Sequence, residues 1–411
     1  MIHAPDSRYA WMRLVATLAL VTLSASGMYI VPVVLPTVQS EFGVARAGAS
    51  TSYSMLMIGF GVGGILMGRL SDRFGMQVPL VIGAIGLGLG FVIAGNAPDI
   101  WTFNLAHGLL IGLLGCSATF SPLLADTSHW FVRRRGIAVA ICASGNYLGG
   151  AIWPPIVEHF VESAGWRPTY VVTGIVASVL MLALSFAMRA RAPIGHDAPD
   201  GMRNAHPSDR PFGLTPRAAQ VLLCIAGLSC CVAMSMPQVH IVAYCGDLGF
   251  GPARGAEMLS LMLACGIVSR LVSGAVCDRI GGLRTLLLGS ALQGIALLLF
   301  LPFKGLASLY VISALFGLFQ GGLVPSYAII VRENFEPREA GARVGTVIMC
   351  TLFGMALGGW MSGKIFDLTG SYHAAFLNGI AWNVLNLSIA FALLQRTRGA
   401  GYSVSRSSPA R

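Results

Sequence analysis

Charged side chains are scarce in this sequence. Only 11% of its 411 residues are Asp, Glu, Lys or Arg, and 55% are hydrophobic, whereas soluble domains carry about 25% charged residues. The mean hydropathy is +0.72. The apolar runs are long enough to cross a bilayer as helices, and they lack the alternation of barrel strands. The composition therefore excludes an ordinary soluble domain and predicts an all-α polytopic membrane protein.

Catalytic and metal-binding motifs are also lacking. The nine cysteines include no C-x-x-C pair, which disfavours both disulfides and a metal site. The sequence has no G-x-S-x-G, Walker loop or H-E-x-x-H motif. We therefore expect no enzyme activity, no cofactor and no metal. The first apolar run follows Arg8 and Arg13 without an A-x-A cleavage pattern after it, so we expect it to be retained as a first span.

Twelve apolar runs divide the chain into predicted membrane spans. Twenty-one of the 27 basic residues fall in alternate connections on one side of these spans, five fall on the other side, and one lies within a span. The positive-inside rule places the richer side, with both chain ends, in the cytoplasm. Compact connections on the other side suggest a bacterial inner membrane. The predicted spans are 13–37, 49–69, 78–96, 100–124, 136–158, 168–188, 217–243, 256–277, 283–303, 306–331, 341–363 and 374–394.

The longest segment without an apolar run, residues 189–216, separates six predicted spans from six. It is rich in Pro, Asp, His and Gly and has no periodicity, which is typical of a linker. We predict a cytoplasmic linker there, between an N-terminal six-helix bundle at 1–188 and a C-terminal six-helix bundle at 217–395. Residues 396–411 form the predicted cytoplasmic tail.

A short motif occurs twice. GRLSDRFG at 68–75 recurs as GAVCDRIG at 274–281, after the second predicted span of each half, which indicates two parallel halves related by an axis along the membrane normal. The G-x-x-x-D-R-x-G pattern resembles the signature of the major facilitator superfamily (MFS), and the resemblance covers essentially the whole chain. It implies the MFS fold, with 12 transmembrane helices in two pseudo-symmetric six-helix bundles, and a function in transport.

The repeated motif also predicts a gate on the cytoplasmic side. Gly68 would let two helices touch, and Gly75 would permit a tight turn. The Asp of the motif can cap a helix and its Arg can pair with an acid. Asp126, at the inner end of span 4, is the expected partner of Arg69 and Arg73. The predicted gating residues are Gly68, Asp72, Arg73, Gly75, Asp278 and Arg279.

A narrower resemblance appears around predicted spans 5, 7 and 8. HWFVRRRGIAVAICASGN at 129–146 and MPQVHIVAYCGDLG at 236–249 resemble the bacterial branch of the monocarboxylate transporter family. Arg270 falls where that family carries its substrate-binding arginine. The animal members have a lysine and an aspartate at positions that are here Val33 and Gly266. The proton relay of those members is therefore not carried over.

Arg270 interrupts the apolar run from Ser260 to Gly274. A guanidinium at the centre of a span costs about 2.5–3.5 kcal/mol on insertion scales, and it stays charged in proteins. We find no acidic residue at comparable depth in the predicted spans. The sequence therefore predicts that Arg270 receives a small organic anion. The alternative is a structural arginine that bonds to backbone carbonyls or reaches the interface.

Polar residues near the midpoints of spans are further candidate substrate ligands. In the superfamily, spans 1, 4, 7 and 10 line the pathway, and spans 2, 5, 8 and 11 lie between the halves. Each candidate could bond to a substrate carboxylate or hydroxyl, or equally to a neighbouring helix. The predicted substrate-binding residues are Arg270, Asn146, Tyr29, Gln320, Tyr147, Ser117 and Thr119. The candidate proton-coupling residues are His240, His107 and Asp126, because histidine titrates near neutrality and a carboxylate can bind a proton.

These observations predict a secondary active transporter that moves a monocarboxylate such as lactate or pyruvate by alternating access. Proton symport is favoured over exchange of two anions of the oxalate and formate type. Less favoured functions are a multidrug exporter of the same fold and a non-transporting sensor or chaperone subunit. The expected partners are the anion, protons and membrane lipid, with no nucleic acid, and we expect a functional monomer.

Overall fold

A computed structural model describes residues 5–190 and 211–406 of the chain. Within them, 12 helices are long and apolar enough to cross a membrane, as predicted, and none of the described residues forms a β-strand. Most of the predicted linker, residues 191–210, and the end of the predicted tail, residues 407–411, lie outside the described residues. The spans, numbered 1 to 12 in chain order, are Arg8–Phe42, Arg46–Phe74, Gln77–Gly95, Ile100–Trp130, Gly136–Ala164, Trp166–Met188, Pro216–Asp247, Pro252–Ile280, Gly282–Leu299, Leu306–Asn334, Glu339–Thr369 and Tyr372–Thr397.

Local chemistry explains several helix ends. The Asp99 carboxylate accepts hydrogen bonds from the backbone N–H groups of Thr102 and Trp101 at the start of span 4, and these bonds lower the pKa of Asp99. Spans 2 and 8 end directly before Gly75 and Gly281, whose φ angles of +85° and +83° favour glycine. The two glycines hold equivalent places in the repeated motif, so the turn predicted at Gly75 is confirmed and occurs in both halves.

Spans 1–6 form the first half of the molecule and spans 7–12 form the second half. Span 2 packs along span 11 and span 5 packs along span 8, and these two contacts make most of the interface between the halves. Within each half, glycines allow helices to approach closely. In the second half, a Cβ atom at Gly317 of span 10 would lie only 2.0 Å from the carbonyl oxygen of Met262 in span 8. Such contacts are typical of membrane helix packing.

Three spans are interrupted near their midpoints. Span 1 bends at Ala25, between the helices Arg8–Ser24 and Ser26–Phe42. Span 4 contains the π-helix Ala106–Cys116 and then loses helical form before Ser121. Span 10 is broken at Gly321 and Gly322. Broken helices in transporters expose backbone groups at the depth of a binding site, and π-helices often mark functional positions.

The two ends of the bundle differ in how closely the halves meet. The terminal face is the end at which span 1 begins at Arg8 and span 12 ends, and the distal face is the opposite end. Hydrogen bonds join the halves at the distal face, where Asp367 accepts from the backbone N–H groups of Arg46 and Ala47 at 2.8 and 2.9 Å. Farther into the bundle, Ser54 donates to the carbonyl of Ala356.

The predicted gating residues lie on the terminal face, where no hydrogen bond or ion pair between described residues joins the halves. Asp72, Arg73, Asp278 and Arg279 are exposed, and none of them forms an ion pair with a residue that the structure describes. A Cβ atom at Gly68 would meet no described atom within 4 Å. Among the described residues, the helix contact predicted at Gly68 and the cap predicted for Asp72 are therefore not formed in this conformation, because Gly68 meets no neighbouring helix and Asp72 is exposed.

Candidate functional site

Arg270 joins the two halves in the middle of the molecule. Its Nη1 donates to the carbonyl of Ala143 in span 5 at 2.8 Å, and its Nε donates to the carbonyl of Gly321, at the break in span 10, at 3.3 Å. Among the described residues it forms no ion pair with a carboxylate. A guanidinium has five N–H donors, so two carbonyl bonds leave donors for a ligand. The bonds expected for a structural arginine and the capacity to bind an anion are both present.

The ring of Tyr147 packs beside the guanidinium. The Arg270 carbon Cζ lies 4.3 Å from the centroid of this ring, a distance at which the aromatic face stabilises the cation. The ring also contacts Gly266, one turn before Arg270, where a Cβ atom would lie 3.3 Å from Tyr147 Cε1. Gly266 therefore leaves space for an aromatic ring beside the cation, at the position where the animal monocarboxylate transporters have an aspartate.

Tyr29 and Asn146 connect span 1 to span 5 next to this group. The Tyr29 hydroxyl donates to Asn146 Oδ1 at 2.8 Å, and Tyr29 is buried. The Nδ2 group of Asn146 donates to none of the residues that the structure describes, and the side chain borders a cavity. This cavity is small and partly open. Its other lining residues are Val21, Ser24, Ala25, Met28, Phe60, Cys116, Thr119 and Phe120.

The breaks in spans 1 and 4 therefore meet at the cavity. The structure brings Thr119 to its wall, although the Thr119 hydroxyl donates to the carbonyl of Cys116. Ser117 does not line the cavity. Its hydroxyl donates to the carbonyl of Leu113 at 2.5 Å and packs against span 2 at Gly63. Of the two candidate ligands in span 4, only Thr119 lines this cavity.

Gln320 lies on the other side of Arg270, one residue before Gly321. It is fully buried, its Oε1 accepts from Gln238 Nε2 of span 7 at 3.0 Å, and its own Nε2 has no partner among the described residues. The hydroxyl of Ser269, beside Gly321, is also buried and unpartnered there. These two atoms therefore retain hydrogen-bonding capacity, beside the break in span 10, that the described residues leave unused.

The sequence model of the Major Facilitator Superfamily matches residues 17–307 and 223–409 of this chain. The chain belongs to the major facilitator superfamily. It is therefore a secondary transporter, integral to the membrane, and not an enzyme.

Two solved structures with this fold are similar to it. One is a bacterial homologue of the human lysosomal transporter Spinster in an inward-facing and occupied conformation (TM-score 0.70, 16% identity, 96% of this chain and 98% of that chain). The other is the nucleoside transporter NupG (TM-score 0.73, 13% identity, 95% and 100%).

Sequence relatives indicate the type of transporter more narrowly. This MFS transporter is 28% identical to monocarboxylate transporter 13 of Rattus norvegicus over 92% of its own length and 88% of the relative. It is 28% identical to monocarboxylate transporter 13 of Bos taurus over 91% and 86%. An uncharacterized MFS-type transporter, YcxA of Bacillus subtilis (strain 168), is 26% identical over 80% and 82%. The resemblance to the monocarboxylate family is thus confirmed.

The two candidate proton-coupling histidines of this transporter are enclosed by hydrogen bonds. His107 is fully buried, with Nδ1 2.8 Å from the carbonyl of Phe103 and Nε2 3.3 Å from the Tyr170 hydroxyl. His240 is also fully buried, with Nδ1 3.0 Å from the Tyr372 hydroxyl and Nε2 2.8 Å from the carbonyl of Gly359. These contacts fit neutral rings, in which one nitrogen donates to the carbonyl and the other accepts from the tyrosine hydroxyl.

Asp126 pairs with a different arginine from the predicted one. Its Oδ2 accepts from Arg13 Nη2 at 2.9 Å and from Nε at 3.1 Å, and the Arg13 guanidinium also lies over the ring of Trp130 at 4.8 Å. The predicted pairing with Arg69 and Arg73 was wrong in this conformation. Asp126 is held by span 1 at the terminal face, because Arg13 is buried within reach and those two arginines are exposed.

Arg46 organises a contact between the halves that the sequence did not reveal. It is 7% exposed, and its Nη1 donates to Asp247 at 2.5 Å and to the Tyr372 hydroxyl at 2.9 Å. Its guanidinium carbon lies 4.3 Å from the ring centroid of Phe366. Together with Asp367, these residues form the distal gate. In the sequence, Arg46 is one of the five basic residues on the side of the spans that has fewer cations. Only its contacts with acidic residues show that it does more than contribute to this charge distribution.

Glu158 was also missed. Predicted span 5 ended at residue 158, but the helix continues to Ala164, so Glu158 lies inside the span. It is 8% exposed, and its Oε2 is buried without a hydrogen-bond partner in the described chain. Glu158 lies about 16 Å along the helix from Tyr147, which contacts Arg270, so it is inside a span but not at the depth of Arg270. The sequence contains a signal for the longer span, because apolar residues lie on both sides of Glu158.

Proposed function

We propose that this transporter carries a small monocarboxylate, such as lactate or pyruvate, together with a proton. The observation that supports the proposal most directly is Arg270, a cation in the middle of the bundle with no carboxylate partner among the described residues. A bound carboxylate would supply the missing charge through paired, charge-assisted hydrogen bonds, the strongest type a guanidinium makes. Tyr147 would hold the guanidinium plane, and Gln320 Nε2 offers a further donor on the side of span 10.

Arg270 is also placed to couple binding to movement. It bonds to Ala143 in the first half and to Gly321 in the second half, so it links the halves while it is free of substrate. A carboxylate that draws the guanidinium away from either carbonyl would weaken that link. We infer that the halves then rock about the site, opening the distal face as the terminal face closes.

The charge distribution indicates the side of the membrane to which this conformation opens. The terminal face, where no bond between described residues joins the halves, carries the excess of arginine that favours the cytoplasmic side. We therefore propose that this conformation opens to the cytoplasm, with the terminal face and both chain ends inside, in the inner membrane of a bacterium. The distal gate would then be an external gate, closed here by Arg46, Asp247, Asp367 and Tyr372.

Exchange of two anions is the second candidate function. It is favoured by the closed hydrogen bonding of His107 and His240, which leaves neither histidine free to carry a proton through the cycle. An exchanger would return only with an anion bound to Arg270. The two functions differ in one respect that can be measured, because symport drives uptake into vesicles without internal anion and exchange does not.

The experiment is uptake of labelled lactate, pyruvate and oxalate into proteoliposomes, with and without an inward proton gradient and internal anion. Loss of hydrogen bonds to a charged group costs about 1.5–3 kcal/mol, so Arg270→Gln should lower uptake by about 10- to 100-fold. Arg254→Gln is the matched control, since Arg254 begins the same span but is exposed and pairs with Glu257. Normal uptake by Arg270→Gln would overturn the proposed function.

A further inference from the structure

Glu158 lies on the face of span 5 that meets span 8. Tyr147 and Ala151 of the same helix contact span 8, through the Arg270 guanidinium and through a hydrogen bond from Ser260. Residues 7 and 11 positions farther along a helix return to nearly the same face. Glu158 follows Ala151 by 7 positions and Tyr147 by 11, and it is about 16 Å from Tyr147 along the helix axis. It therefore stands on the distal side of the anion site, on the same interface between the halves.

No cation among the described residues forms an ion pair with this carboxyl group. On its own helix the charged neighbour is Glu162, one turn farther on and exposed, which would repel a carboxylate. The other charged and titratable groups at the distal ends of the helices packed against span 5 are engaged elsewhere. Glu41 of span 1 pairs with Arg167 of span 6, and Arg254 of span 8 pairs with Glu257. His159 is exposed.

A buried carboxylate without a cation or a full set of donors is strongly disfavoured, whereas the protonated acid is not. We propose that Glu158 is the proton-binding residue of this transporter, protonated while it is buried as in this structure, loaded from the distal side together with the anion and unloaded toward the terminal face after the anion leaves. The inference rests on the proposed function and adds the residue that carries the proton. The step is a simple proton transfer between water and the carboxylate of Glu158, and no other bond changes.

The pair of sites explains why anion and proton would move together. With both ligands bound, the anion neutralises Arg270 and the proton neutralises Glu158. With neither bound, the positive and negative side chains balance each other. With only one ligand bound, the closed transporter carries a net charge inside the membrane, which is costly. Reorientation is therefore favoured with both ligands or with neither, which gives one proton per monovalent anion and no net charge movement.

Glu158→Gln tests the inference, because glutamine keeps the shape but mimics only the protonated acid. The variant should behave as an exchanger. Counterflow of labelled pyruvate at equal pH should stay within about twofold of wild type, while gradient-driven uptake into vesicles without internal anion should fall about tenfold or more. Glu162→Gln is the matched control, since Glu162 is an exposed carboxylate one turn away on the same helix, and both rates should match wild type.

A second measurement does not depend on the substrate. Infrared spectra of the purified protein at pH 7 should show a carbonyl stretch of a protonated carboxylic acid in wild type and in Glu162→Gln, and this band should be lost in Glu158→Gln. An unchanged spectrum in Glu158→Gln would overturn the inference whatever the transporter carries.

The transport results separate the two proposals. Gradient-driven uptake that persists in Glu158→Gln would overturn the role of Glu158 and leave the monocarboxylate symporter standing. Wild-type uptake that requires internal anion and ignores the gradient would overturn the role of Glu158 in coupling, and would leave Arg270 as the site of an anion exchanger. Wild-type protein that carries no carboxylate in either assay would overturn the proposed function, and the infrared spectra would then decide the protonation of Glu158.

Discussion

The distal gate offers a prediction whose size can be worked out from the structure. Arg46→Gln removes three contacts between the halves: the bond to the Tyr372 hydroxyl, the ion pair with Asp247 and the contact with the ring of Phe366. Tyr372 is buried, and a hydrogen bond to a charged group is worth about 1.5–3 kcal/mol. Asp247 is 37% exposed, so its ion pair adds about 0–1 kcal/mol. The cation–π contact adds about 0.5–1 kcal/mol.

A total of about 3 kcal/mol corresponds to a roughly 100-fold change in the ratio of distal-closed to distal-open molecules. Because the backbone bonds from Arg46 and Ala47 to Asp367 survive the substitution, the gate should weaken rather than vanish. Hydrogen–deuterium exchange should therefore become faster in residues 46–54 and 359–369 of Arg46→Gln. Faster exchange in these segments alone would agree with a weakened gate, and general acceleration would indicate lost stability instead.

Arg254→Gln is the matched control for this experiment. Arg254 also lies at the distal face, but it is exposed and its partner Glu257 belongs to the same helix, so removing it should leave the exchange of both segments unchanged. If Arg46→Gln exchanged at the wild-type rate in residues 46–54, the gate assigned to Arg46 would be refuted.

Two further predictions concern stability. Asp126→Asn leaves the Arg13 guanidinium buried without a counter-charge, so it should lower the free energy of unfolding by about 3–5 kcal/mol and lower the thermal midpoint in detergent. Gradient-driven uptake per folded molecule should persist. Loss of proton coupling in folded Asp126→Asn would instead place Asp126 in the proton pathway. Gly317→Ala should cost about 1–3 kcal/mol, because its Cβ would lie 2.0 Å from the carbonyl oxygen of Met262. Gly345→Ala, at a helical position with no described atom within 4 Å, should be neutral or stabilising, and equal midpoints for the two variants would contradict the packing described.

The sequence was sufficient to predict features that depend on local pattern. Apolar runs of membrane length predict all 12 spans, because a bilayer-spanning helix must satisfy its backbone internally and present apolar side chains to lipid. The repeated motif predicts the two-fold organisation. Arg270 stands out for the same local reason, since a charge inside an apolar run is visible without any knowledge of its neighbours.

Features that depend on contacts distant in sequence were missed or misassigned. Asp126 and Arg13 are 113 positions apart, and nothing in the sequence favours Arg13 over the nearer Arg69 and Arg73. The bond between Gln238 and Gln320 joins the two pathway spans of the second half in the same way. Glu158 was missed for a different reason, because the helix extends six residues past the predicted end of span 5 and carries the carboxyl group into a buried position.

The most direct test of the central claim is anion binding to purified protein, measured by calorimetric titration with lactate and pyruvate. Binding requires no proton gradient and no movement, so it isolates the role of Arg270. Wild type and Arg254→Gln should bind with equal affinity, and Arg270→Gln should bind about 10- to 100-fold more weakly. Equal binding to Arg270→Gln, or wild-type protein that binds neither anion, would contradict the assignment of Arg270 as the receptor for a monocarboxylate.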